Sequence, residues 1–156
     1  MKSVLISINP NWCEPITTGE KRIEIRKTKP KINGKFKVYI YCTQGKPYFY
    51  GNGKAYVSDT FNLLKNLHEQ FIATSGMYRW NGKIIGEFVC DDIEEYTQMF
   101  GTFGAYTIPA NSFSQTCLTS DEINNYGYGK TLYGWHISNL KIYDKDNFNS
   151  CLNRFW

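Results

Sequence analysis

The chain contains six short runs that are rich in β-branched and aromatic residues, each bounded by turn-forming residues such as glycine, proline or asparagine. Such runs are typical of strands, because branched and flat side chains pack well on a pleated, half-buried surface. Aromatic residues make up 17% of the chain, which fits the same interpretation. The pattern therefore predicts an α+β fold that is mainly β. The predicted strands are 4–8, 21–27, 36–43, 83–92, 132–137 and 140–143.

Two short helices are predicted from the residues at their ends. Asn9 followed by Pro10 supplies an N-cap and a proline at the first helical position, and Gly19 supplies the residue that ends the helix. Thr119 begins the sequence Thr-Ser-Asp-Glu, which is a capping box and predicts a second helix that ends at Gly127.

Residues 44–81 lie between two predicted strands and divide into two parts. The first part, 45–57, is rich in turn-forming residues and is predicted to be a loop. The second part has apolar residues at helical spacing and predicts an amphipathic helix over 59–75. Residues 97–116 have no clear periodicity and are predicted to form another long loop.

The length of 156 residues fits one domain with a substantial core. No run approaches the roughly 20 consecutive apolar residues of a membrane-spanning helix, and the N-terminus becomes polar too early for a signal peptide. We therefore expect a cytoplasmic protein. The five cysteines are widely spaced without a C-x-x-C pair, so we expect buried thiols and neither disulfides nor a zinc site. They are Cys13, Cys42, Cys90, Cys117 and Cys151.

Positive charge is concentrated near the start of the chain. Residues 1–54 hold 11 of the 18 lysines and arginines but only 3 of the 14 acidic residues, whereas residues 55–156 have a net charge of −4. The densest basic run extends from Lys21 to Lys37. Such a run attracts phosphate, because neutralising a polyanion releases its counterions. The alternative interpretation is a solvated charged surface without a ligand.

The basic run begins with the octet GEKRIEIR, residues 19–26. On an alternating strand its two isoleucines point to one side, whereas Glu24 and Arg26 point to the other. Lys21 precedes the strand at a glycine turn, which leaves its side chain free to turn towards Glu24. A carboxylate among cations orients them, and an arginine fork suits phosphate or a base edge. The alternative is a salt-bridge network that only fixes the corner between helix and strand.

The octet matches the G-x-K-x-x-E-x-R signature of ASCH domains, and four further segments resemble that family in the same order. Residues 7–12 resemble the strand, proline and aromatic residue that lead into the family's first helix. Residues 38–43 and 82–88 resemble two of its barrel strands, and residues 133–140 resemble its closing strand with a W-x-I motif. The chain is therefore identified as similar to the ASCH family of the PUA-like group.

The resemblance implies a single ASCH domain over residues 1–156, folded as a PUA-like β-barrel of five or six strands with short peripheral helices. In that barrel the strands 36–43 and 83–92 are expected to be neighbours, and residues 44–81 are an insertion that carries the added helix. The family's proposed RNA-binding cleft implies recognition of RNA, a nucleotide or a nucleoside around the octet, with no cofactor or metal. The residues expected to bind it, including aromatic residues that could stack on a base, are Trp12, Lys21, Arg22, Glu24, Arg26, Lys27, Tyr41 and Trp135.

Two other functions stay open. The family includes amidohydrolases that cleave acylated cytidines, and some members are reported as nucleases; in such a metal-independent enzyme Lys21 and Glu24 would be catalytic. The amidohydrolases have a threonine where this chain has Glu24, however, and a nearby carboxylate favours the charged amine over the neutral amine that a base needs. The second alternative is a protein-interaction module that uses residues 44–81.

Overall fold

The structure is a computed structural model, and it describes residues 1–44, 48–51, 54–57, 80, 82–99 and 104–143. The helix predicted over 59–75 and Cys151 lie outside these residues. No helix in the described part is long and apolar enough to cross a bilayer.

The described part contains nine strands and three helices. In chain order they are β1 (Ser3–Ile8), α1 (Pro10–Thr17), β2 (Ile23–Arg26), β3 (Phe36–Cys42), β4 (Tyr48–Gly51), β5 (Lys54–Val57), β6 (Lys83–Cys90), β7 (Ile93–Tyr96), α2 (Ala110–Gln115), α3 (Ser120–Gly127), β8 (Leu132–His136) and β9 (Ser138–Ile142). The fold is therefore mixed α+β and mainly β, as the sequence predicted.

The larger of two main sheets has four strands in the order β1-β3-β6-β9. Strand β1 is parallel to β3, whereas β6 is antiparallel to both β3 and β9. The pairing of β3 with β6 confirms that the predicted strands 36–43 and 83–92 are neighbours in one sheet.

The smaller sheet has three antiparallel strands in the order β2-β8-β7. Strand β6 continues into β7 after Asp91 and Asp92, and β8 continues into β9 after Ile137. Because β6 pairs with β9 and β7 pairs with β8, one bent antiparallel ribbon passes from the larger sheet into the smaller one. The closure of these sheets into a single barrel stays a prediction.

The main core lies between the inner face of the larger sheet, helix α1 and the smaller sheet. Strand β1 alternates as expected for a half-buried strand, with Ile6 and Ile8 buried and Ser7 exposed. From the smaller sheet, Trp135 packs edge-on against Phe36 with ring centroids 5.5 Å apart. Burial of each such apolar side chain contributes about 1.5–3 kcal/mol, so this cluster fixes the relative position of the two sheets.

A second core lies on the other face of the smaller sheet, where Ile23 and Tyr96 pack against Ile123 of α3. Gly134 lies at the centre of this face. A Cβ atom at Gly134 would lie 2.5 Å from the Tyr96 hydroxyl and 2.9 Å from Cγ2 of Ile23. The absence of a side chain at this position therefore allows the neighbouring strands to pack their large residues together.

The end signals of both short helices are confirmed. Thr119 Oγ1 accepts a hydrogen bond from the Glu122 amide, and Glu122 Oε2 accepts one from the Thr119 amide, which completes the capping box. Asn9 is the N-cap of α1, but its side chain makes no capping bond. Instead, Asn9 Oδ1 accepts a hydrogen bond of 3.2 Å from the Thr43 hydroxyl.

Two segments that were predicted to be loops contain regular structure. Strands β4 and β5 form an antiparallel hairpin within 45–57, and helix α2 lies within 97–116. In the sequence, tyrosines stand on both sides of Asn52-Gly53, and this dipeptide is a hairpin signal that the loop prediction overlooked. Helix α2 has only six residues and no side-chain capping bond, so its sequence offers no strong start signal.

The described cysteines are free thiols, and three of the four agree with the prediction of buried thiols. Cys13, Cys42 and Cys90 are buried. Cys117 is exposed, because it occupies the turn between α2 and α3 with a positive φ of 55°. At this position the prediction of a buried thiol is wrong.

Candidate functional site

A cleft of about 490 Å³ opens where the end of β1, helix α1, strand β2 and helix α3 meet. Its walls combine charged, amide and aromatic side chains, which is the composition expected of a small-ligand site. The lining residues used below are Asn9, Trp12, Lys21, Glu24, Arg26, Glu122, Asn125 and Tyr126.

The alternation of β2 directs two charged residues into this cleft. Ile23 and Ile25 are buried in the second core, on the opposite face of the strand, although Ile25 also borders the cleft. Glu24 and Arg26 therefore point the other way and line the cleft, as the two-residue period of the octet predicted.

Lys21 is the most deeply buried charged residue of the cleft, with 2% of its surface exposed. Its amine donates a hydrogen bond of 2.5 Å to the carbonyl oxygen of Thr116 and lies 3.5 Å from Glu24 Oε2. The Lys21 backbone amide is bonded to the carbonyl of Pro15 in α1, ahead of the first residue of β2. Because Lys21 lies outside the regular strand, its side chain turns towards Glu24, as predicted.

Glu24 lies between two cations and is itself 7% exposed. Its Oε1 atom is 3.6 Å from Nη1 of Arg26, and its Oε2 atom is 3.5 Å from the Lys21 amine. Both separations exceed the usual length of a charge-assisted hydrogen bond, which is about 2.7–2.9 Å. The carboxylate thus holds both cations near the cleft without saturating their hydrogen-bonding capacity.

Arg26 lies at the mouth of the cleft. Its Nη1 atom donates a hydrogen bond of 3.0 Å to the carbonyl oxygen of Ser7, which anchors the guanidinium to the end of β1. The side chain remains 27% exposed. A guanidinium has five N–H donors, so the remaining donors can bind a planar anion from solvent.

Two aromatic residues, one from α1 and one from α3, form part of the wall. Trp12 of α1 packs against the main core, and the Lys21 amine lies 5.6 Å from its ring centroid. Tyr126 of α3 is 38% exposed, and the Lys27 amine lies 4.7 Å from its ring centroid. Burial raises the pKa of Tyr126 above its ordinary value, with a smaller opposing effect from Arg26, so the hydroxyl stays protonated at neutral pH.

Four of the predicted binding residues do not line the cleft. One of them, Lys27, is exposed next to it, with its amine over the ring of Tyr126. Arg22 is exposed beside the turn between α1 and β2, where its Nε atom is 3.5 Å from the carbonyl oxygen of Gly19. Tyr41 is not among the lining residues; it is half-buried on β3, paired with Ser7 on the face opposite the main core. Trp135 is 4% exposed within the main core, so it is not available as a stacking surface.

The sequence reasoning missed two contributions to the cleft. Thr116 accepts the hydrogen bond of the Lys21 amine through its carbonyl oxygen, a contact across 95 residues that no side-chain pattern reveals. Tyr126 and Asn125 come from α3, which was predicted as a helix without a functional role. Tyr126 follows the buried Ile123 by three residues, so helical periodicity places it near the same side, but only the packing of α3 shows that it reaches the cleft.

A second carboxylate cluster lies on the opposite face of the smaller sheet. Glu94 accepts hydrogen bonds from the Ser112 hydroxyl at 2.8 Å to each oxygen and from the Tyr96 hydroxyl at 3.0 Å, and its Oε1 atom is 2.6 Å from Nε2 of His136. Burial alone would raise the pKa of Glu94, but the hydrogen bonds from Ser112, His136 and Tyr96 outweigh it and hold the pKa below its ordinary value. The Glu94 carboxylate is therefore occupied by contacts with other side chains of the protein.

Comparison with known proteins identifies the fold. The sequence matches no family model and no curated protein. The structure matches that of ASCH from Zymomonas mobilis with a TM-score of 0.52 and 13% identity, covering 99% of this chain and 82% of the other. A point mutant of the same Zymomonas protein matches with a TM-score of 0.52 and 12% identity, covering 100% and 85%.

The chain has the ASCH fold. This confirms the likeness to the ASCH fold that the five segments predicted, whereas the closed barrel stays a prediction; the sequences are too different to transfer an activity. In the ASCH fold of this chain, the octet from which the resemblance began lies at the cleft, and three of its charged residues line the walls.

Proposed function

We propose that this chain binds RNA or a nucleotide in the cleft, with Lys21, Glu24 and Arg26 as its charged residues. The observation that carries the proposal is the spacing of these three groups. Two cations lie about equally far from one nearly buried carboxylate, at 3.5 and 3.6 Å, in a cleft with aromatic walls. Because the contact of Arg26 with Glu24 is long, an incoming phosphate can bind the exposed part of Arg26 without first breaking a short bond, and the buried Lys21 adds its positive charge to the cleft.

The cleft has the chemistry needed for each part of a nucleotide. Arg26 presents free guanidinium donors at the mouth, where a phosphate would remain partly hydrated. Trp12 and Tyr126 offer aromatic rings, and stacking of one base on such a ring typically contributes about 1–3 kcal/mol. The volume of about 490 Å³ lies within the range of small-ligand sites, so the cleft accommodates one nucleotide.

The hydrolase alternative has less support from the geometry. Lys21 donates to the carbonyl of Thr116 and pairs with Glu24, so both contacts hold the amine as a donor and not as a base. The alternative of protein binding at 44–81 concerns residues that lie mostly outside the described part of the chain, and it stays a prediction.

The direct experiment is an NMR titration with uridine monophosphate, with uridine and with inorganic phosphate. We expect uridine monophosphate to shift the amides of the cleft, because it offers both a base and a phosphate. Arg26→Ala should weaken binding about 10- to 100-fold, since one charge-assisted hydrogen bond is worth about 1.5–3 kcal/mol.

Arg22→Ala is the matched control, because it removes the same side chain from the same octet but outside the cleft. Its effect on affinity should be less than twofold. Equal losses in the two variants would show that only the overall charge matters and would contradict the proposed cleft. Absence of binding by any of the three compounds and by short RNA would also contradict it.

A further inference from the structure

The two ends of the cleft differ in charge along helix α3. Glu122 and its neighbour Asp121 lie in the first turn of the helix, whereas Tyr126, under the Lys27 amine, lies near its end. Tyr126 is four positions after Glu122, which corresponds to about 6 Å along the helix. An anionic chain that enters the cleft is therefore repelled at the Glu122 end and attracted at the Tyr126 end.

The end of the cleft near Tyr126, which attracts anions, continues into a basic loop. Residues 27–35 follow Arg26 directly and contain four lysines and no acidic residue. All four lysines are exposed. They are Lys27, Lys29, Lys31 and Lys35.

Two of these lysines are held in place over aromatic rings. The Lys27 amine lies 4.7 Å from the ring of Tyr126, which lines the cleft. The Lys29 amine lies 5.1 Å from the ring of Tyr133, and Tyr133 is the cross-strand neighbour of Arg26. Cross-strand Cβ atoms are about 5 Å apart, so Tyr133 lies next to Arg26. Lys29, over the Tyr133 ring, therefore lies just outside the mouth of the cleft.

We propose that the ligand of the cleft is a single-stranded oligonucleotide, and that its chain leaves the cleft between Arg26 and Tyr126 and passes over the loop at 27–35. One nucleotide occupies the cleft, and the following phosphates contact Lys27 and Lys29. This inference rests on the proposed function, since it specifies which nucleic acid the same cleft binds.

The shape of the cleft favours a single strand over a duplex. A space of about 490 Å³ between α1 and α3 accommodates a base only when that base has left its stack. Bases of single strands are free to do so, whereas a duplex base must first be unpaired at a cost of a few kcal/mol.

Lys29 can exchange its present partner for phosphate. It pairs with Glu95 at 3.5 Å, and both side chains are 53% exposed. Exposed ion pairs contribute little, so the exchange costs little free energy. Lys29 and Lys31 both line a neighbouring groove that also contains Asp91 and Asp92, whose carboxylates repel phosphate, so the strand does not continue from Lys29 into this groove towards Lys31. The path therefore follows Lys27 and Lys29.

The test is isothermal titration with uridine monophosphate and with the oligouridylate dinucleotide and pentanucleotide. We expect the pentanucleotide to bind about tenfold more tightly than the mononucleotide, through two additional phosphate contacts. The double variant Lys27→Ala/Lys29→Ala should remove this gain and reduce the salt dependence of pentanucleotide binding by about 1.4 in log–log slope, at about 0.7 per phosphate. In the single variant Lys29→Ala, which leaves Lys27 in place over the Tyr126 ring, the mononucleotide affinity should change less than twofold.

The matched control is Lys2→Ala/Lys141→Ala, which removes two exposed lysines elsewhere. Lys141 lies on β9, three strands from β1 and about 14 Å away across the sheet. This variant should retain the pentanucleotide gain. Glu95→Gln should increase pentanucleotide affinity alone, because it frees Lys29.

Three results would overturn the inference while leaving nucleotide binding intact. They are equal affinities for mononucleotide and pentanucleotide, equal losses in the loop and control variants, and binding of a duplex as tightly as a single strand of equal length. If no compound binds at all, the proposed function itself fails. These outcomes separate a failure of the inference from a failure of the function on which it rests.

Discussion

The smaller sheet carries a carboxylate cluster on each of its two faces, and the two clusters differ in how fully their polar groups are satisfied. Glu94 and Glu24 are aligned with neighbouring residues of β8, Gly134 and Trp135, so they point to opposite faces. The Glu94 contacts are short, between 2.6 and 3.0 Å. The two cations near Glu24 are 3.5 and 3.6 Å away.

The difference indicates a division of roles within one sheet. Short hydrogen bonds from three side chains leave Glu94 little capacity to bind a ligand, and they connect β7, β8 and α2. The longer contacts of Glu24 leave donors of Arg26 available at a cleft. We infer that the Glu94 cluster stabilises the fold and that the Glu24 cluster is preorganised for binding.

Removal of the Glu94 carboxylate should have the largest effect on stability. Glu94→Ala leaves the buried Ser112 and Tyr96 hydroxyls without their acceptor, at about 1–3 kcal/mol for each unsatisfied group. We expect the free energy of unfolding in urea to fall by about 3 kcal/mol. Nucleotide affinity, measured where the variant is folded, should be unchanged. Loss of affinity without loss of stability would reverse the assignment of the two clusters.

Acid should weaken the Glu94 cluster in a predictable pH range. The pKa of Glu94 is held below its ordinary value of 4.5, so its contribution to stability is complete above about pH 4.5 and is lost as the pH falls through the folded-state pKa. The free energy of unfolding of the native chain should therefore decrease below this pH.

The isosteric variant Glu94→Gln tests the assignment of this acid effect. Its unfolding free energy should be lower at neutral pH, and its decrease in acid should be shallower than that of the native chain. Equal acid slopes in the two proteins would show that other carboxylates cause the effect. Glu87 is one of them, because hydrogen bonds from Tyr143 and Lys37 outweigh its burial and lower its pKa.

Removal of the Glu24 charge should have a smaller effect than removal of Glu94. It should strengthen the binding of phosphate, whereas the loss of Glu94 weakens the fold. Glu24→Gln removes a negative charge beside Lys21 and Arg26, so inorganic phosphate should bind about threefold more tightly. Discrimination between different nucleoside monophosphates should decrease, because the carboxylate no longer orients the two cations. Weaker phosphate binding would show that orientation by Glu24 matters more than its repulsion. Calorimetric titration of both ligands measures the two effects on one sample.

Part of this site could be predicted from the octet alone. The two-residue period of a strand places Glu24 and Arg26 on one side and the two isoleucines on the other, and the structure has that arrangement. The same rule groups Arg22 with Glu24, but Arg22 lies outside β2 and follows the turn away from the cleft. The two-residue period applies only within a strand, and the sequence did not show that β2 begins at Ile23.

The aromatic residues show where sequence patterns lose their predictive value. Trp12 and Trp135 have the same side chain and were both expected to stack on a base, yet Trp12 lines the cleft and Trp135 is 4% exposed in the core. Tyr126 had no predicted role. Whether a ring is buried depends on which element packs over it, and such contacts are not encoded in local periodicity.

The sequence by itself determined six of the nine strands in the described part, the two longer helices of that part, the mainly β fold and the direction of Glu24 and Arg26, because these depend on local backbone preferences and on short repeats. Only the tertiary structure decided that the carbonyl of Thr116 meets Lys21, that α3 closes the cleft with Tyr126, and that Glu94 meets His136. The residues in these contacts are separated by 95 positions for Thr116 and Lys21 and by 42 for Glu94 and His136. Their proximity follows from the packing of whole elements around two cores, which a local pattern cannot specify.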